Sequence, residues 1–410
     1  MKPKTMIEKI IAKHTKDYNP DIVWMDIDVR SARDFGGPNV IKNYEAEYGE
    51  TKLDDISKTF FTFDCCVPAN SIQYANNQHK VRLFAKKNNI KLYDVDAGIG
   101  SHVMIDEQIA YPGSTVVGTD SHLNILGAIG AFGQGMGDVD IAYIFKSGKT
   151  WFQVPKSMRI NITGKRPENV SAKDITLYVL KHLGSSGGLG LAIEFYGDVL
   201  DSFNLSERIT LCSMVTEMAG IIGFIVPNQE IMNKFSNKKF NLNDIKAAAD
   251  AEYVKELNID ISNLKPQMSL PGSPADVVDV ASGDSVRIDS VFLGSCTNGR
   301  YEDIKSFAQI IKGHHVAESV MVKIVPSTAA VFSKILKEGI MNDLIDAGCI
   351  VSNPGCGGCA SGQIGMTGEK EVALSTSNRN FKGKQGMGEI YLVSPETAAF
   401  SSLEGRICTK

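Results

Sequence analysis

Apolar residues recur at Ile7, Ile10 and Ile11 within Met6 to His14, a spacing that places them on one face of a short helix. Asp21 to Asp28 gathers Ile22, Val23, Trp24, Met25 and Ile27 and reads as a buried strand. Phe60 to Phe63 is a second strand, ending at Asp64-Cys65-Cys66-Val67-Pro68. His79 to Lys87 then predicts a helix and Lys91 to Val95 a strand, and alternation of this kind implies α/β layering. Later, Met158 to Ile162 alternates as a strand does, and Ser206 caps a predicted helix with Leu211, Met214, Val215 and Met218 on its apolar face. Thr210, Ser213 and Glu217 share another face of that helix. Ser285 to Leu293 predicts a strand that delivers Cys296 on its following loop, with a helix over Tyr301 to Lys312.

At 410 residues the chain exceeds the size at which one core keeps growing. We expect α/β domains over residues 1–155, 156–282 and 283–410. The first break falls near Val154-Pro155, and the second follows the Lys/Asn/Asp-rich stretch that ends in Ser269-Leu270-Pro271-Gly272-Ser273-Pro274. A hydrophobic content of 43% with 22% charged residues is that of an ordinary globular protein. The formal charge of -4 argues against a general nucleic-acid or acidic-membrane binder. The longest apolar run, Ile221 to Val226, is too short to cross a bilayer. Met1-Lys2-Pro3-Lys4-Thr5-Met6-Ile7-Glu8 lacks the apolar core of a signal peptide. Eight cysteines are too sparse for a disulfide scaffold, so a reducing, cytoplasmic compartment is expected.

Three of those cysteines carry the chemistry. Cys356 and Cys359 form a C-x-x-C pair in Asn353-Pro354-Gly355-Cys356-Gly357-Gly358-Cys359, and Cys296 lies in Gly294-Ser295-Cys296-Thr297-Asn298. Three thiolates from two loops can hold an iron-sulfur cluster or a metal while leaving one position open, as a catalytic site requires. A thioredoxin-like redox pair or two buried small residues would produce the same Cys-Gly-Gly-Cys. Upstream, Gly118, Gly127, Gly130, Gly133, Gly135 and Gly137 crowd around Asp120-Ser121-His122. Glycine permits close backbone approach, which suits a packed site wall, and the spacing is not a dinucleotide fingerprint.

Four blocks in this order, Gly118-Thr119-Asp120-Ser121-His122, Gly294 to Arg300, Asn353 to Cys359 and Asn378-Arg379-Asn380-Phe381, resemble the aconitase superfamily. Thr297-Asn298-Gly299-Arg300 and Gly127 to Phe132 are most similar to its 3-isopropylmalate dehydratase and homoaconitase large subunits. The resemblance implies a three-domain α/β/α arrangement around a [4Fe-4S] cluster, without the swivel domain. It implies that Cys296, Cys356 and Cys359 are the ligands and that one iron stays open for a dicarboxylate or tricarboxylate substrate. It implies a hydro-lyase acting on a substituted malate, with a separate small subunit supplying the missing domain. Asp64, Cys65, His102, Asp120, His122 and Glu217 match catalytic positions, with Glu217 orienting His122 and Asp120 pairing with His102. Ser121, Asn378, Arg379 and Lys384 match substrate-binding positions.

The chain also departs from the pattern. Cys65 stands where the family has histidine, so either this thiol or another group or water protonates the leaving hydroxyl. Lys384 replaces an arginine, which is no equivalent exchange at a carboxylate site. Ser213 replaces an asparagine, and the family histidine near His102 falls on Ser101 when counted from Gly98. A non-enzymatic iron or redox sensor is the rival from another class.

Overall fold

The computed structural model describes residues 4–359 and 363–410; the first three residues of the N-terminal stretch read above lie outside it. The described strands form three main sheets and one two-stranded ribbon. The first sheet runs Lys91–Tyr93, Thr59–Thr62, Val29–Arg33, Thr115–Gly118, Phe132–Gly135, all parallel. The second runs Ile222–Ile225, Ala192–Tyr196, Ser157–Thr163, Lys255–Asp260, also parallel. In the third, Glu389–Leu392, Val372–Ser375, Ser290–Leu293, Met321–Ile324 and Ile350–Val351 are parallel neighbours. Gln267–Ser269 and Val277–Asp279 extend it as antiparallel strands.

Parallel strands require crossovers, and ligands gather outside their carboxyl ends. Here those ends carry Arg33 as the last residue of its strand and Asp64, Asp120, Cys296, Cys356 and Asn378 on the loops that follow. The first two sheets share one apolar core, in which Leu126 and Ile129 pack with Met158, Ile160 and Leu211. The third sheet has its own, built on Val291, Leu293, Ile304, Phe307 and Ile324.

Several predicted elements shift for physical reasons. The helix foreseen from His79 begins at Ile72 and is capped by Ser71. Its first turns are polar, and Ile72 is 82% exposed, so no apolar periodicity announces them. Val23–Asp26 is not a buried strand: it alternates buried and exposed positions and pairs only with Lys149–Phe152, leaving Trp24 and Trp151 opposed on the open face. The later helix is capped by Asn204, not Ser206, through a capping box with Glu207, and spans Leu205–Ser213 before tightening to a 3-10 turn over Met214–Met218. The Lys/Asn/Asp-rich stretch conceals Lys255–Asp260, an edge strand with polar, largely exposed positions.

Candidate active site at the strand ends

A cavity of about 400 Å³ is lined by Cys65, Asp120, Ser121, His122, the three cysteines of the two loops, Arg33 and Lys384. Glycine lets its wall close: a Cβ on Gly135 would lie 2.5 Å from the Asp120 carbonyl oxygen, and one on Gly127 would lie 1.7 Å from that of Gly223. Side chains at these positions would push the Asp-Ser-His loop off the sheet.

Cys296 and Cys356 are buried and pack with Ile99, and Asn378 bridges the thiols. Its amide donates to Cys296 Sγ at 3.6 Å, and its carbonyl accepts from Cys359 Sγ at 3.4 Å. Burial first, then the nearby Cys359, Asp120 and Cys356, pushes the Cys296 thiol well above its ordinary range. Burial also raises Cys359, against the pull of Lys384. Such thiols ionise readily only where a cation takes the charge. A single tetrahedral zinc would draw its sulfurs to about 3.8 Å from one another. Among the described residues the group with ligand atoms mutually within 4.8 Å is Asp34, Asp64 and Cys65, not the three cysteines. The cysteines therefore fit a multi-iron cluster better than one ion. Asp34 itself is occupied, accepting from the backbone amides of Asp64, Cys65 and Cys66 at 3.2, 2.9 and 3.0 Å.

On the opposite wall, His122 Nε2 lies 3.3 Å from Glu217 Oε1, and Arg379 Nε donates to the same oxygen at 2.7 Å. If Nε2 carries the proton toward Glu217, Nδ1 accepts from Ser121 Oγ at 3.2 Å. Burial would raise the Glu217 carboxyl, but His122 and Arg379 together hold it below the usual carboxylate range. Glu217 is thus a buried bridge between His122 and Arg379, with a side chain only 3% exposed. Burial would likewise raise Asp120, yet Arg33 and His122 hold it low. Asp64 goes the other way: burial lifts it to about 6 despite Arg33. The Cys65 thiol donates to Asp64 Oδ1 at 3.5 Å. Its contact with Cys356, then burial, pushes it well above the thiol range, so it stays protonated.

His102 is a correction. Its ring does not line the cavity: Nε2 faces the Cys296 carbonyl oxygen at 3.0 Å, and Nδ1 faces Arg300 Nη1 at 3.1 Å. Burial and then Arg300 depress it to about 4, so it is a neutral strut under the Cys296 loop and does not pair with Asp120. Arg300 prevents that pairing because its guanidinium, anchored on Asp106 at 3.1 Å, requires an acceptor at Nδ1. Ser101, the other candidate for the position, is buried with Oγ unpartnered. Outside the cavity, His14 pairs with Asp28 at 2.8 Å.

Two residues of the site escaped the sequence. Arg33 reaches Asp64, Asp120 and Cys356 at once. Lys173, 1% exposed, donates to the carbonyls of Thr376 and Ser377 at 3.1 and 2.6 Å, just before Asn378 and Arg379. Neither belongs to a motif. A basic residue at a strand end was the only signal for Arg33, and Lys173 lies inside an amphipathic helix, where a lysine normally reads as surface.

A fold of parallel sheets with cysteines, carboxylates and cations converging on one cavity defines an iron-sulfur enzyme of the aconitase type. The chain belongs to the aconitase family, whose model, described as aconitate hydratase, matches residues 8–405. It is 39% identical to the 3-isopropylmalate dehydratase large subunit 1 of Methanopyrus kandleri over 98% of each chain. It is 36% identical to a probable methanogen homoaconitase large subunit of Methanothermobacter thermautotrophicus, covering 98% of this chain and 96% of that one. The crystal structure of Thermococcus kodakaraensis aconitase X shares the fold with a TM-score of 0.55 at 10% identity, over 92% of this chain and 89% of that one. Membership implies an iron-sulfur cluster, and the thiols above fit one. No helix among the described residues is long and apolar enough to cross a membrane.

Proposed function

We propose that this chain is the cluster-bearing large subunit of a cytoplasmic hydro-lyase that dehydrates and rehydrates a substituted malate, with 3-isopropylmalate as the first candidate substrate. The observation that carries this reading is the convergence of Cys296, Cys356 and Cys359 with Asp120, Ser121 and His122 on one cavity. The three cysteines would hold a [4Fe-4S] cluster, with Asn378 orienting two of the sulfurs. When bound, the cluster supplies an open Lewis-acidic iron that eases departure of the substrate hydroxyl.

The chain's own residues supply the rest. Arg379, fixed by Glu217, and Lys384 at the cavity wall are the cations available to substrate carboxylates; Arg379 can offer a fork, whereas Lys384 offers a point charge. His122, oriented by Glu217 and Ser121, is placed to hold or release a proton. The Cys65 thiol, kept protonated by its contact with Cys356 and by burial, lines the cavity and donates to the Asp64 carboxylate, so the proton at this corner sits on Cys65. His102 acts through the Cys296 backbone. A separate small subunit would bring the remaining acid-base group and complete the substrate pocket. The similarity to the homoaconitase large subunit supports a longer dicarboxylate or tricarboxylate as the second candidate substrate.

Anaerobic reconstitution tests the reading: iron and sulfide content with EPR, before and after adding isopropylmalate, citraconate or homocitrate together with a candidate small subunit. A four-iron cluster whose spectrum shifts with one diacid is expected. Zinc, or no metal, would sink the mechanism, and a cluster indifferent to every diacid would favour a sensor.

A further inference from the structure

The feature that the proposed function leaves unused is Arg33. It closes the strand Val29–Arg33, and its backbone amide is fixed by Thr119 Oγ1 at 3.0 Å. Its three nitrogens then reach three separate loops: Nε to Asp64 Oδ1 at 2.6 Å, Nη1 to Asp120 Oδ1 at 2.9 Å and Nη2 to Cys356 Sγ at 2.8 Å. The side chain is only 15% exposed, so water screens these contacts little.

We propose that Arg33 is a positioning residue that locks the carboxylate side of the cavity to its cysteine side and tunes the cluster through Cys356. The proposal rests on the cluster reading above. Two physical properties support it. A guanidinium keeps its charge at every accessible pH and offers donors in a rigid fork, so one side chain can fix Asp64, Asp120 and Cys356 relative to one another, which the flexible point charge of a lysine cannot do. In addition, an N–H donor on a ligand sulfur draws electron density from it, and hydrogen bonds to sulfur together with local charge set the reduction potential of iron-sulfur clusters. Arg33 also offsets the repulsion between two buried carboxylates that would otherwise face each other.

Outer partners of metal ligands, when removed, typically cost 10- to 100-fold in metal retention. The test compares full-length wild type, R33Q and R33K after anaerobic reconstitution, reading the rate of iron release to a chelator and the midpoint potential by EPR-monitored titration, with a melting curve for each. R33Q is expected to lose iron about 10- to 100-fold faster and to shift to lower potential. R33K, which keeps the charge without the fork, should recover most of the potential but little of the retention. Unchanged release and potential in R33Q overturn the proposal. R33K guards against a misfolded R33Q, since wild-type iron retention in R33K would by itself show that the fork is not needed. A wild type that takes up no iron would instead overturn the cluster reading beneath.

Discussion

Replacing Lys173 by methionine tests how the loop carrying Asn378 and Arg379 is held. The lysine extends from the helix Ala172–Leu183 across to the segment after the strand Val372–Ser375, joining the second sheet layer to the third. Burial drops its pKa from an ordinary 10.5 to about 7 although Glu217 and Asp303 pull the other way, so keeping this amine charged in place costs about 5 kcal/mol net. Against this stand two charge-assisted hydrogen bonds to buried carbonyls, each contributing about 1.5–3 kcal/mol. The two effects nearly cancel. K173M, close in shape, is therefore expected to shift the melting temperature by only a few degrees while freeing residues 376–380, which carry Asn378 and Arg379. Hydrogen exchange at 376–380 should rise, and KM for the diacid should rise about tenfold or more at a smaller cost in kcat, since one lost orienting interaction of about 1.4 kcal/mol is tenfold. Wild-type exchange at that loop with an unchanged KM would refute the reasoning, as would global unfolding.

Three further outcomes follow from the geometry. E217Q keeps the shape but removes the charge shared by His122 and Arg379; a loss of about 1.5–3 kcal/mol predicts a 10- to 100-fold drop in kcat/KM without loss of cluster absorbance, and wild-type kinetics would count against Glu217 as the organiser. C356S, C359S and C296S should each abolish or diminish the visible cluster absorbance, whereas C212S, at a buried thiol outside the cavity, should not; an intact spectrum in C356S would show the ligand assignment to be wrong. Asp303 is lifted from 3.8 to about 7 by burial, so the native chain keeps a proton there that the unfolded chain releases between about pH 4 and 7. Its contribution to stability therefore falls as pH rises through that window, and D303N should flatten this part of the melting-temperature profile; identical slopes would contradict the assignment.

Sequence resemblance singled out the three cysteines, the Asp-Ser-His loop, Glu217 and the Asn-Arg-Asn loop, and the structure brings the cysteines to one cavity with Asp120, Ser121 and His122. Strand and helix positions in apolar, periodic stretches were legible because the pattern that predicts an element is the one that buries it. The sequence missed what depends on long-range approach. Polar first turns hid the start of the helix Ile72–Asn88, and a solvated edge hid the strand Lys255–Asp260. His102 illustrates the limit most clearly, since the family resemblance implies an acid-base pair with Asp120 while Arg300, 198 positions away, turns it into a neutral support.

By itself, then, the chain determined an α/β protein of the aconitase family and offered three cysteines on two loops as candidate cluster ligands, because thiols and glycine-bounded loops are chemically specific wherever they occur. Only the tertiary structure decided which charges meet. Arg33 at Cys356 and Lys173 beneath the Asn378-Arg379 loop join segments 323 and 203–204 residues apart, and a basic side chain far from its partners in sequence gives no local sign of whether it will face water or a buried acceptor.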